Sequence, residues 1–278
     1  ANISKMGNSG LELWYGESVI LQQVIIDDVY DWGVDIYDQL SATLIDVTVT
    51  KAGNDGIWID FVDEVTLTRV TSQFNDVDGI YLTGIGDIAL LDVNSSYNKA
   101  IGLNIELAES LADTNGIYTE NEDSGISVVY VMGESTFTRT TATNNNADFG
   151  DYGVGLEIYG FPFFDDLDFY YGGFFDFVGG LSLPFDFFDL LPDEFLDFDF
   201  GLLPFVAGGS VTIEGGTFSD TDGNVYNGNI YSQTAGIVIE GIAGDINIIA
   251  HDNGSDIQTT DVSGNDEIGV VLYDIAAN

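Results

Sequence analysis

Apolar and polar residues alternate through DGIWIDFVDEVTLTRV at 55–70, break at a turn, and alternate again; DGIYLTGIGDIALLDV at 78–93 repeats the arrangement. Period-two alternation marks a strand with one buried face. The repetition is strict. Gly10, Gly33, Gly56, Gly79, Gly102 and Gly125 follow one another at intervals of 23 residues. With this glycine as position 0, position 1 reads Leu11, Val34, Ile57, Ile80, Leu103, Ile126, and position 3 reads Leu13, Ile36, Ile59, Leu82, Ile105, Val128. Position 11 reads Leu21, Leu44, Leu67, Leu90; position 14 reads Val24, Val47, Val70, Val93; position 16 reads Ile26, Val49, Ser72, Ser95. Each unit therefore carries two or three short strands separated by turns, and nothing sustains the 3.6-residue period of a helix.

A unit this short cannot bury its own apolar face, so it must stack on its neighbours. Parallel stacking puts Ile57 between Val34 and Ile80 at about 4.8 Å per step. An antiparallel sandwich would not hold one fixed period through six units. The pattern predicts an all-β solenoid, a parallel β-helix of about eight 23-residue coils in one domain spanning 1–278. It resembles the right-handed parallel β-helix proteins of the pectate lyase-like type, a fold shared by enzymes, phage tailspikes and adhesins. The resemblance thus implies fold more than activity.

Beyond Gly125 the units grow irregular. A longer loop is predicted over TRTTATNNNADFGDYG, and the register restarts at Gly155, Gly236 and Gly269. Between the restarts lies a segment of different character, residues 161–206, with 14 of the 19 Phe, all four Pro, ten acids and no Lys, Arg or His. Its prolines and Gly-Gly pairs argue against a continuous helix. Either it covers a flank of the solenoid, or its Phe side chains dock on another molecule, since large apolar patches are rarely exposed on monomers.

Five Lys and Arg stand against 47 Asp and Glu, a formal net charge of −42, which repels nucleic acid and anionic lipid and attracts cations. There is no Cys, hence no disulfide and no thiolate site. No apolar run is long enough for a membrane-spanning helix. Ala1 in place of Met fits a mature secreted chain, and with the acidity it points to an extracellular or cell-surface location.

Candidate chemistry is sparse. A lyase acting on an acidic polysaccharide needs cations, and only Lys5, Lys51, Arg69, Lys99 and Arg139 exist, with Arg69 the best placed. Polygalacturonase-like motifs are missing apart from Asp-Asp pairs, and the lone His251 has no nucleophile motif beside it. No catalytic residue and no organic cofactor is assigned; a polysaccharide lyase or hydrolase is the lesser alternative. Outward positions 2 and 4 stack Glu12, Asp35, Trp58, Tyr81 and Trp14, Tyr37, Asp60, Thr83 into columns. Carboxylates one rung apart suit a solvated acidic face, an acid/base pair, or Ca²⁺ held by Glu12, Asp35 and Asp60. The rings of Trp14, Tyr37, Trp58 and Tyr81 form an outer aromatic strip, suited to cell-surface glycans or to a neighbouring subunit.

Solenoids need caps, and neither end of this sequence offers an amphipathic helix. Counted from Gly269, Asn278 falls at position 9; counted back from Gly10, Ala1 falls at position 14 and Ile3 at position 16. One copy's tail and the next copy's head would nearly complete a shared coil. The expected function is end-to-end self-assembly with copies of itself into an extracellular filament, sheath or surface layer. The predicted contacts are Ala1, Ile3, Leu11, Leu13, Val270, Leu272 and Ile275 at the ends, and Phe163, Phe164, Phe174, Phe175, Phe187 and Phe188 in the insertion. The alternative is a carbohydrate-binding adhesin.

Overall fold

A computed structural model describes residues 1–145, 153–160, 209–219, 224–226, 229–231, 235–242, 244–252, 257–263, 265 and 268–273. The repeat of the sequence is the repeat of the backbone. Leu11 pairs in parallel with Val34, Val34 with Ile57, Ile57 with Ile80, Ile80 with Leu103 and Leu103 with Ile126. The coil expected before Gly10 exists in part: Asn2–Ser4 pairs with Ile25–Asp27, which places Ile3 beside Ile26.

The expectation of about eight 23-residue coils needs correction. The constant offset holds for the six rungs Leu11 to Ile126; Ile126 then pairs with Leu156, Leu156 with Ile237, and Ile237 with Val270. The predicted restarts at Gly155, Gly236 and Gly269 are therefore in register, but on longer coils. The excursions between them carry the antiparallel pairs Asn224–Tyr226 with Asn229–Tyr231 and His251–Asp252 with Ile257–Gln258. The Phe-rich insertion lies outside the described residues. Among those described there is no helix, and so none long and apolar enough to cross a membrane.

Each regular coil has three corners, and each corner is turned by a single residue at positive φ. Position 5 supplies Tyr15, Asp38, Phe61, Gly84, Leu107 and Tyr130; position 13 supplies Gln23, Asp46, Arg69, Asp92 and Asn115; position 18 supplies Asp28, Lys51, Phe74, Tyr97 and Glu120. The left-handed region costs an L-residue roughly 1–2 kcal/mol, so stacking must hold these corners in place. The repeating glycine answers a different demand. A Cβ on Gly56, Gly79, Gly102 or Gly125 would lie 2.7, 2.8, 2.6 or 2.8 Å from the carbonyl oxygen of the matching glycine one coil on. A methyl group has no room there.

Inside, positions 1, 3, 9, 11 and 14 form aliphatic columns, almost all fully buried from the second coil onward. Position 19 changes character along the axis, from Val29 and Ala52 to Asn75, Asn98 and Asn121, with Asn145 continuing the column. Each amide donates to the next: Asn75 Nδ2 to Asn98 Oδ1 at 2.9 Å, Asn98 Nδ2 to Asn121 Oδ1 at 3.0 Å, and Asn121 Nδ2 to Asn145 Oδ1 at 3.1 Å. The same acceptors receive the backbone N–H of Asn75, Asn98 and Asn121. Position 16 changes in step, because Asn75 and Asn98 also donate to Ser72 and Ser95. A buried Asn is tolerated where its amide is met on both sides, and here the next coil meets it.

Candidate functional site

The outer face of the first sheet, positions 2 and 4 of successive coils, gathers the predicted calcium ligands and the predicted aromatic strip. Period two turns Leu11 and Leu13 inward and so sends Glu12 and Trp14 outward, and the 23-residue register stacks their counterparts. Glu12 lies beside Asp35 and Trp14 beside Tyr37; one rung on, Asp35 meets Trp58 and Tyr37 meets Asp60. Each column therefore changes kind along the axis: two acids give way to two rings at position 2, and two rings give way to Asp60 at position 4.

The three predicted calcium ligands do not converge. Glu12 and Asp35 share one column on adjacent rungs, while Asp60 stands in the next column. Among the described residues no group of three or more His, Asp or Glu surrounds a common point. Local partners occupy the pair instead: Asn8 Nδ2 donates to Glu12 Oε1 at 2.9 Å, and Trp14 Nε1 donates to Asp35 Oδ2 at 2.9 Å.

The predicted aromatic strip is present, with a different geometry. Trp14 is 54% exposed, while Tyr37, Trp58 and Tyr81 are half-buried. Instead of lying flat, the rings meet edge to face, Trp58 on Tyr81 at 5.7 Å and 68°, with Trp32 on Trp58 at 4.9 Å and 71°. Tyr37 takes the edges of Tyr15 and Phe61. Trp32, Tyr15 and Phe61 were not anticipated, because position 22 and the corner position 5 show no aromatic pattern in the sequence. Such edge contacts bind rings to one another and leave fewer open ring faces for a sugar.

Burial perturbs the carboxyls of this face. Asp60 and Asp78 are each pushed up to about 6, chiefly by burial. Asp78 accepts from the Ile101 N–H at 2.8 Å and from Asn104 Nδ2 at 2.9 Å, whereas Asp60 Oδ1 is buried without a partner. Burial also raises Asp35 and Glu157. Tyr81 donates to Glu106 Oε2 at 2.9 Å, and its own pKa is raised mainly by burial. Asp60 and Asp78 can hold a proton at mildly acidic pH, and among the described residues neither forms an ion pair with a Lys, Arg or His. Arg69, the best placed cation, is taken by Asp46 through Nε at 2.6 Å and a second nitrogen at 3.1 Å. His251 Nδ1 lies 2.9 Å from Glu214 Oε1.

One acid was missed entirely. Asp113 sits at position 11, the column of Leu67 and Leu90, and is completely buried. It accepts from Tyr118 Oη at 3.1 Å and Thr140 Oγ1 at 2.6 Å, and burial pushes its carboxyl up to about 6. The break in an otherwise leucine column was its signal.

Of the predicted contact residues, Leu11, Leu13, Ile3 and Val270 are partly buried at the outermost coils, Ala1 and Leu272 are exposed, and Ile275, Phe163, Phe164, Phe174, Phe175, Phe187 and Phe188 lie outside the described residues. The fold defines the class of the molecule, a parallel β-helix. Residues 32–164 match the family model described as a right handed beta helix region, which makes the solenoid right-handed. Neither a curated protein nor a solved structure matches the chain. Right-handed β-helices serve as surface proteins and as enzymes, so the match speaks for the fold and leaves the activity to the site.

Proposed function

We propose that the protein is an extracellular structural subunit that stacks end to end, one copy's last coil on the next copy's first, into a filament, sheath or surface layer. The supporting observation is that the two main interior columns are uncovered at both extremes among the described residues. From Val34 to Ile237 the position-1 column is buried throughout, yet Leu11 and Val270 are only partly so. In the position-3 column Leu13 is partly buried and Leu272 is 51% exposed. Both faces offer an aliphatic pair on the same sheet, which makes them complementary to each other. Of the Leu11–Val29 strand, only Ile25–Asp27 are laddered on the outer side by a described strand. Joining two such faces buries apolar area and pairs backbone groups, and a head-to-tail contact of this kind runs on into a fibre unless rotation closes it.

Charge opposes the contact. Copies at −42 repel each other, so assembly requires salt or divalent cations such as Ca²⁺, with Glu12 on the joining coil and Asp35 one rung behind it as the first carboxylates to be screened. Sedimentation velocity and negative-stain electron microscopy, in millimolar calcium and then in chelator at low salt, test the reading. Fibres or layers one solenoid thick are expected with calcium, and Leu13→Asp is expected to abolish them. Discrete particles at every protein concentration and in both buffers would overturn end-to-end stacking. Polymers that persist in chelator and dilute buffer would rule out the cation dependence alone.

A second reading, an adhesin for cell-surface glycans, draws on the open rings of Trp14 and Tyr15, 54% and 72% exposed. Glycan binding by the monomer that is lost in Trp14→Ala would favour it.

A further inference from the structure

A groove of about 1080 Å³ runs along the third corner of the first coils. Its composition is unlike the rest of the molecule. Lys5 and Lys51, two of five cationic side chains in a chain at −42, line it with Asp28, Asp31 and Asp76, so it is close to charge balance. Lys5 forms no ion pair among the described residues, and Lys51 shares Asp27 at 3.1 Å in an exposed and therefore weak pair. Tyr30 and Phe74 open into it, 78% and 51% exposed. The corner does not require a ring at Phe74, which stacks on Tyr97 at 5.1 Å: at the same position 18, Asp28 and Glu120 turn it as well.

We infer that this groove receives the Phe/Asp-rich segment, residues 161–206, of a second copy. The chemistry is complementary on both counts. The segment carries fourteen Phe and ten acids with no base, against two aromatic walls and two lysines. A cavity of this size lies at the top of the range that buries whole ligands, enough for several aromatic side chains. Position along the axis selects the second copy. Lys5, Met6 and Gly7 precede Leu11, so the groove opens at the face where stacking joins the next copy. The segment follows Tyr159 in the chain, and among the described residues two rungs, Ala235–Glu240 and Ile268–Tyr273, lie beyond Val154–Tyr159 on that sheet. Stacking would set the strand that precedes the segment in the chain, Val154–Tyr159 of the next copy, three rungs from the first coil that lines the groove. The inference rests on the stacking reading for this last step.

The test is zero-length carbodiimide coupling of amines to carboxylates in a mixture of ¹⁴N and ¹⁵N full-length protein with calcium, read by mass spectrometry of chymotryptic peptides. Mixed-isotope links from Lys5 or Lys51 to the acids of 161–206 are expected. Phe74→Ser keeps both lysines and is expected to lower the yield of those links about fivefold, the factor that about 1 kcal/mol produces. Links confined to single-isotope chains, or no link between these lysines and the segment, overturn the inference. Sedimentation of the same samples separates it from stacking. Fibres without the links overturn the groove and leave stacking in place; mixed-isotope links without fibres support the groove and overturn stacking.

Discussion

Asn98→Ala removes the middle of the interior amide ladder. Asn98 Oδ1 is the acceptor for the backbone N–H of Asn75 at 3.2 Å and for Asn75 Nδ2 at 2.9 Å. After truncation Asn75 Nδ2 keeps Ser72 Oγ, and Asn121 Oδ1 keeps the Asn98 N–H at 3.1 Å. The Asn75 N–H and one amide hydrogen are left buried without acceptors. Each such group costs about 1–3 kcal/mol, so the ladder break is expected to cost about 2–6 kcal/mol. That is a large share of the roughly 5–15 kcal/mol typical of a domain. Guanidinium unfolding measures the total, and hydrogen exchange over residues 72–79 locates it, with the Asn75 amide losing protection first. Ser18→Ala, on the exposed first coil, is the control and should stay within about 0.5 kcal/mol of the parent. A loss below about 0.5 kcal/mol in Asn98→Ala, with the Asn75 amide still protected, would refute the ladder as the source of that satisfaction.

Two other substitutions test the core. Asp113 has a folded pKa of about 6, above its ordinary value of 3.8, so the folded state holds the proton more tightly than the unfolded chain. Its contribution is fully present below about pH 3.8 and is lost as pH rises through about 6, on the order of 2–3 kcal/mol. Unfolding free energies measured from pH 4 to 7 should therefore fall less steeply in Asp113→Asn than in the parent; identical slopes would refute the assignment. Gly56→Ala places a methyl 2.7 Å from the Gly79 carbonyl oxygen, and thermal unfolding should show a loss of about 1–3 kcal/mol or more, whereas Gly7→Ala, with open space around its Cβ, should be neutral.

Much of the solenoid is legible in one dimension. A glycine every 23 residues followed by aliphatic residues at positions 1 and 3 is enough to predict parallel stacking, because only identical neighbours can bury so short a unit. Ile3 beside Ile26 follows from that count alone, and the restarts at Gly155, Gly236 and Gly269 follow from the recurrence of glycine with aliphatic residues at positions 1 and 3, on coils whose length the count does not give. The corners do not. Tyr15, Asp38, Phe61 and Leu107 share a backbone conformation and no chemical type, since stacking of the flanking strands imposes the positive φ. The Asn ladder is hidden for a related reason: Asn75, Asn98 and Asn121 read as polar turn residues until the next coil is laid over them and supplies each amide with its partner.

The candidate site divides along the same line. Alternation by itself determined which of Glu12, Trp14, Asp35, Tyr37, Trp58, Asp60 and Tyr81 face outward, because successive side chains of a strand point to opposite faces. Tertiary structure decided what they form. It set Asp60 in a different column from Glu12 and Asp35, turned the rings edge to face, and raised the Asp60 carboxyl by burying it. Period and polarity are properties of neighbours along the chain. Convergence, burial and a carboxyl's proton affinity depend on groups one or more coils away, whose distances only the wound solenoid defines.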